Sequence, residues 1–308
     1  MRRILHLSDL HFGRTRPELV TPLLEVVREV QPHVVAASGD FTQRARASQF
    51  REARAFLDRI EAPVVAVPGN HDVPLGNLGM RLIAPFRSYR RWIDHDLEPV
   101  FRDDAIAVIG MNTADPLAWQ RGRIRRSSLE RTCRHLSEAG RDRVGIVVAH
   151  HPFEHLPGEK KELMPEAETA LRRLSTCGAQ IILTGHLHAW RAAPFTLPEG
   201  HEGVLQVQAG TGLSTRLRGE ANDFNLITVE GDTVSVERFV AEAETTTFAR
   251  LAALRFRRTG GRWEGEPPDP SAAAEAPATL PSEPPAPHRR DRKFSATRLR
   301  RLRARRKT

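Results

Sequence analysis

Residues 64–72 read Val-Val-Ala-Val-Pro-Gly-Asn-His-Asp, and residues 180–188 read Gln-Ile-Ile-Leu-Thr-Gly-His-Leu-His. In each stretch a short apolar run stops at a glycine and opens into polar side chains. Such runs, rich in β-branched residues, fit strands buried on both faces. The glycine lets the backbone turn tightly and bring short side chains in close. The same grammar recurs three more times. Residues 4–7 lead into Asp9-Leu10-His11, residues 33–37 into Gly39-Asp40, and residues 144–149 into His150-His151-Pro152.

Amphipathic helical patterns lie between these runs, at about 18–30, 47–60, 127–138 and 166–174, and a further strand is expected at 105–111. Strands alternating with helices predict an α/β fold with helices covering a sheet. After Gly185 the helices give way to strand-like stretches at 194–197, 203–208, 225–230 and 233–239, with turns such as Glu230-Gly231-Asp232. That change predicts a meander forming a second sheet stacked on the first. Residues 251–264 read as a strand pair turning at Gly260-Gly261 and closed by Trp263.

Composition narrows the function classes. The chain has 308 residues, with 47 Lys and Arg against 38 Asp and Glu. Eleven of those cations and one of those anions lie in 288–308, which leaves 36 against 37 in 1–287. The basic character therefore belongs to the tail, and a nucleic-acid reading of the whole protein from its charge fails. Two cysteines, Cys133 and Cys177, stand in unrelated contexts. They support neither a disulfide framework nor a thiolate metal site, and this usage suits a reducing compartment. There is no long apolar run and no signal-peptide pattern, so a cytoplasmic protein is expected.

Residues 266–287 hold eight prolines and no basic residue, a composition that cannot bury enough surface to fold. The expected organisation is a catalytic domain at 1–265, a disordered Pro/Ala-rich linker at 266–287 and an Arg-rich tail at 288–308. Such a tail condenses on polyanions without sequence preference. Nucleic acid and an anionic membrane surface are its candidate partners, beside the reading of a solvated tail.

All five polar clusters fall at the carboxyl ends of expected strands, the edge where α/β sheets bind ligands. In a strand, residues i and i+2 share a face, so Asp9 and His11 would point together, as would His186 and His188. Carboxylate, amide and imidazole groups without thiolate suit Mn, Fe, Zn or Ni. One such motif means little; five in order, each after a strand, point to one metal centre.

The ordered set D-x-H, GD, GNHD, H-x-P and GHxH resembles the calcineurin-like metallophosphoesterases over about residues 4–240. In overall pattern it is similar to their class III cyclic-nucleotide phosphodiesterases. The resemblance implies a four-layer α/β/β/α sandwich of two mixed sheets flanked by helices. It also implies two divalent metal ions, Mn or Fe first and Zn or Ni as alternatives, that activate a water against a phosphoester. Carried over by motif, one metal falls to Asp9, His11, Asp40 and His188, the other to Asp40, Asn70, His150 and His186, with Asp40 bridging. His71 would contact the phosphate and assist the leaving group. The implied substrate is a phosphodiester or nucleotide, with 3′,5′-cyclic nucleotides first. A nucleotide–lipid pyrophosphatase, a nuclease and a non-catalytic polyanion-binding scaffold are the alternatives. One departure stands out. Phosphatases of this superfamily often carry GDxxDR, whereas here Gln43 takes the place of the second Asp, which favours the diesterase members.

Overall fold

The computed structural model describes residues 1–155, 162–198, 200–251 and 253–266. The linker and tail expectations fall outside these, apart from Glu266. The first elements are β1 (Arg2–Leu7), α1 (Val20–Val30), β2 (Val34–Ala37), α2 (Ala47–Leu57) and β3 (Val64–Ala66). Next come α3 (Leu78–Ile83), α4 (Arg87–Trp92), β4 (Val100–Arg102), β5 (Ile106–Gly110) and α5 (Arg126–Ala139). Then follow β6 (Val144–Val148), α6 (Ala167–Cys177), β7 (Ala179–Thr184), β8 (Arg191–Pro194) and β9 (Leu205–Gln208). The chain continues through β10 (Asn222–Glu230), β11 (Thr233–Ala241), β12 (Ala249–Arg250), β13 (Leu254–Thr259) and β14 (Arg262–Gly265).

These strands build two mixed sheets. One runs β14-β13-β11-β10-β1-β2-β3, with β12 on β11; the other runs β4-β5-β6-β7-β9-β8. The expected division into an N-terminal sheet and a C-terminal one does not hold. β10 pairs antiparallel with β1, so the C-terminal strands extend the first sheet, while β8 and β9 extend the second. Strand runs reveal burial but not which edge each strand joins, and both sheets had free edges to fill. The 254–265 hairpin forms as expected, with Trp263 buried and its indole N–H donating to the Gln180 carbonyl at 2.9 Å.

Alternation along the strands produces the layers. Ile4, Val34, Ala36, Ile146, Val148, Ile181 and Leu183 face the space between the sheets. Their neighbours Leu5, Leu7, Val35 and Ala37 point outward, into one cluster with α1 and α2 residues. On the other side Ala107, Ile109, Val147 and Ile182 pack with α5 and α6. The result is helix, sheet, sheet, helix, the calcineurin-like sandwich.

The cysteine reading is corrected. Cys133 on α5 and Cys177 at the end of α6 are bonded to each other across 44 residues. Their contexts are unrelated in sequence, but both helices cover the same face of the second sheet and meet there. Cysteine usage therefore no longer argues for a reducing compartment. No described helix is long and apolar enough to cross a membrane.

Candidate metal centre

The polar clusters do converge at one sheet edge, but not by the period-two route. β1 ends at Leu7, and Asp9 and His11 lie beyond it with φ of +50° each. Asp40 (+54°), His186 (+71°) and His188 (+57°) are also left-handed. Residues with a Cβ seldom adopt this conformation unless the surroundings enforce it, and it clusters at functional sites. Backbone curling, rather than strand alternation, aims these five side chains inward. Two glycines make the approach possible. A Cβ on Gly69 would collide with the Asp40 carboxylate, and one on Gly185 with Ser8 and Asp9.

One donor set is Asp9, His11 and His188. Asp9 Oδ1 lies 3.1 Å from His188 Nε2 and 3.5 Å from His11 Nε2, and the two imidazole nitrogens are 3.2 Å apart. A second set surrounds His150. Its Nε2 is 3.2 Å from Asn70 Oδ1 and 3.5 Å from Asp40 Oδ2, and it shares a cluster of donor atoms with His151 and His186. Asp40 Oδ2 reaches His11 Nε2 as well, at 3.7 Å, so this carboxylate stands between the two sets. All eight sequence-expected residues are thus brought to one edge.

The donor atoms are oriented from behind. His150 Nδ1 faces the Ser38 carbonyl at 2.7 Å and His188 Nδ1 the Arg216 carbonyl at 2.8 Å. A carbonyl only accepts, so each Nδ1 carries the proton and each Nε2 presents a lone pair to the centre. Asp9 Oδ2 accepts from the Ser8 hydroxyl at 2.6 Å and from the His186 N–H at 2.9 Å. Asp9 Oδ1 is buried with no hydrogen-bond donor. An orphaned carboxylate oxygen facing lone pairs is costly unless a cation sits among them. The residues present therefore fit a pair of divalent metal ions.

The electrostatics agree. Burial pushes the Asp9 and Asp40 carboxyls up, but His188 and His11 around Asp9, and His150 and His71 around Asp40, hold both well below the usual range. Burial alone would lower His150, yet Asp40 and Asp9 raise it to about 9. The field that would place a proton there is the field that holds a cation, and metal binding must displace that proton.

Two features escaped the sequence reading. Arg216 extends its Nη1 to within 3.1 Å of His71 Nε2, and burial followed by its neighbour Arg218 lowers its pKa. Only proximity in space marks it, since it lies 28 residues beyond His188. Asp72 is fully buried and accepts from the Phe41, Thr42 and Gly69 amides at 3.2, 2.9 and 3.0 Å, tying the loops after β2 and β3 together. Burial, then the Asp40 charge, raises Asp72 to about 7. His151, beside His150 in the same loop, has its Nδ1 2.9 Å from the Thr113 hydroxyl. His71 Nδ1 donates to the Gln43 carbonyl at 2.8 Å, so the backbone of residue 43 holds the ring although its side chain cannot do so with a charge. Burial lowers the His71 pKa, with Asp40 opposing.

A family model described as calcineurin-like phosphoesterase matches residues 2–190. Among solved structures, a dimetal phosphatase from Danio rerio aligns with a TM-score of 0.57 at 14% identity, over 80% of this chain and 99% of that one. Purple acid phosphatase PPD1 from yellow lupin (Lupinus luteus) seeds gives 0.58 at 13%, over 82% and 53%. GAP50, described as the anchor in the inner membrane complex of Plasmodium, gives 0.56 at 11%, over 93% and 99%. At such identities the structural likeness is one of fold. No curated protein matches the chain. The family match spans well over half the sequence and reaches just past the fifth loop at His188, so the chain belongs to the calcineurin-like phosphoesterases, a family built on a dinuclear metal centre.

Proposed function

We propose that the protein hydrolyses phosphodiesters at a dinuclear centre in which Asp9, His11, Asp40 and His188 hold one ion and Asp40, Asn70, His150 and His186 the other. The observation that carries this reading is the position of Asp40, with one oxygen facing both donor sets. The nitrogen and oxygen donors suit Mn or Fe first, with Zn or Ni possible. When bound, the ions supply Lewis acidity and a water acidified to near-neutral pKa.

The chain's own groups do the rest. His71 and Arg216 form the mouth. The Arg216 guanidinium can donate to a non-bridging phosphate oxygen, where charge builds in the transition state. With Nδ1–H committed to the Gln43 carbonyl, His71 faces the substrate through Nε2. It can pass a proton to the departing alkoxide from its cationic form, which Asp40 favours and burial opposes. The absence of a second carboxylate at position 43 supports the diester over the monoester. Phe12 and Phe153 are buried in packing, and the Trp190 indole N–H is bonded to Asn225 at 2.7 Å, so these three aromatics give no support to base stacking. Cyclic nucleotides therefore rest on the sequence resemblance alone, as the first natural diester to test.

The test is turnover of a bis-aryl phosphate, cyclic nucleotides, nucleotide pyrophosphates and single-stranded DNA by protein loaded with Mn²⁺, alongside metal analysis. We expect about two ions per chain and diester cleavage. His71→Ala should keep both ions and lose on the order of 10²-fold or more in kcat. Arg216→Ala should lower kcat/KM for the diester about tenfold, in keeping with a lost charge-assisted hydrogen bond. Metal-loaded protein that cleaves only monoesters would overturn the diesterase reading.

A further inference from the structure

Helix α3 is turned inside out. Its arginine, Arg81, is 3% exposed, while Leu78, Leu82 and Ile83 are 63, 55 and 85% exposed. Arg81 donates to the Pro116 carbonyl at 2.6 Å and the Pro74 carbonyl at 3.1 Å, and its guanidinium lies 4.6 Å from the centre of the Trp119 ring. One buried cation thus staples two surface segments into a single lip. Leu75 (41%) joins it from one side, and Leu117 (66%) and Trp119 (54%) from the other. Apart from Met1 and Leu254, these six account for every large hydrophobic exposed among the described residues. The lip also adjoins the metal centre on two sides. Leu75 follows His71 by four residues, and Gly122, three residues after Trp119, packs against the His151 ring.

A contiguous apolar surface of this kind marks a contact site, and the charges around it name the partner. Residues 73–93 contain four arginines and no Asp or Glu. Arg44 and Arg46 share a surface depression with Leu75, and neither they nor the exposed Arg87, Arg90 and Arg123 has a carboxylate within ion-pair distance among the described residues. Apolar side chains rimmed by unpaired cations complement an anionic bilayer, in which leucine and tryptophan enter the headgroup boundary and arginines meet the lipid phosphates. A second copy of this lip would repel the first. The basic tail would be repelled as well. We propose that this lip docks the protein on anionic lipid membranes with the metal centre facing the leaflet. The proposal does not depend on which phosphoester is cleaved.

The test is co-sedimentation of the full chain with vesicles of phosphatidylcholine alone or with 30% phosphatidylglycerol, about 30% being a composition that gives a strong negative surface. It compares wild type with Leu82→Glu/Ile83→Glu; melting temperature and metal content check that the variant is folded, as the exposure of both side chains predicts. Wild type should pellet with the anionic vesicles and hold on at raised salt, whereas the variant should bind at least about tenfold more weakly, having lost its apolar anchors. The fluorescence of wild type should shift to the blue on binding, and Trp119→Phe should remove most of that shift. Equal pelleting of wild type and variant would assign the binding to the tail and overturn the proposal. So would wild type that stays in the supernatant, lip-dependent retention on single-stranded RNA without vesicle binding, or a wild-type dimer that the variant dissociates.

Discussion

The space between the two sheets and the edge above it are made of opposite materials. Between the sheets, aliphatic residues such as Ile4, Val34, Ile146 and Ile181 alternate at period two on ordinary extended backbone. At the edge, five proposed ligands account for half of the ten non-glycine residues with positive φ among the described residues. Each such residue costs on the order of 1–3 kcal/mol, and the like-signed carboxylates and facing lone pairs add to that. A buried Val, Ile or Leu contributes about 1.5–3 kcal/mol. Several interior residues therefore offset a site that is unfavourable in isolation. The interior sets stability and the edge sets chemistry, and substitutions in the two regions should fail in different ways.

Asp40→Ala should produce the largest effect on function and little on stability. Its carboxylate faces both donor sets, so its loss should release both ions and lower turnover by roughly 10⁴-fold or more, the scale of metal-supplied activation. Compared metal-free, the variant should lose far less unfolding free energy than a cavity between the sheets costs. The carboxylate's contacts with His150, His71 and the His71 N–H are partly offset by the desolvation of a buried charge. Atomic absorption and calorimetry read the two halves separately. A variant that keeps two ions and full turnover would end the assignment of Asp40. Ile181→Ala is the mirror experiment. It opens a cavity between the sheets and should cost about 2–5 kcal/mol of unfolding free energy by urea titration, with metal stoichiometry unchanged well below the melting point. Metal loss without a stability loss would show that the two regions are not separable.

The interior was also the more legible of the two. Short apolar, β-branched runs located β1, β2, β3, β5, β6 and β7 to within a residue or two, because burial on both faces leaves a direct mark on composition. The edge was legible in its residue types. The five clusters were named from Asp, Asn and His standing after strands, the family resemblance picked eight of their residues, and all eight lie at one edge. What sequence could not supply is what depends on long-range pairing. Sheet membership of 222–241 rests on register with β1, the Cys133–Cys177 bond on helix packing, and the approach of Arg216 to His71 on a contact spanning 145 residues. The expected strand at 194–197 forms instead at Arg191–Pro194, where its partner β9 sets the register.

His6 lies on the boundary between the two materials and sharpens the comparison with a smaller effect. It sits on β1 among residues facing the inter-sheet space, fully buried, with Nε2 2.9 Å from the Ser38 hydroxyl and Nδ1 3.4 Å from the Asn225 amide nitrogen. Burial lowers its pKa from 6.5 to about 3, with Asp9 opposing. A folded pKa below the unfolded one means that the stabilisation is complete above about pH 6.5 and is lost as pH falls from there towards 3. At pH 5 the loss amounts to roughly 2 kcal/mol if the neutral ring persists in the fold. His71, also lowered by burial, titrates in the same direction but is common to wild type and a His6 variant and cancels in their comparison. His150, raised to about 9, is protonated in both states below pH 6.5, and Asp72 and Asp223, raised to about 7 and 6, make the fold more stable as pH falls. Metal-free His6→Gln should therefore lose less stability than metal-free wild type between pH 7 and 5, read from urea midpoints. Parallel curves would mean that water reaches His6, and that the dry interior ends below β1's carboxyl end rather than at it.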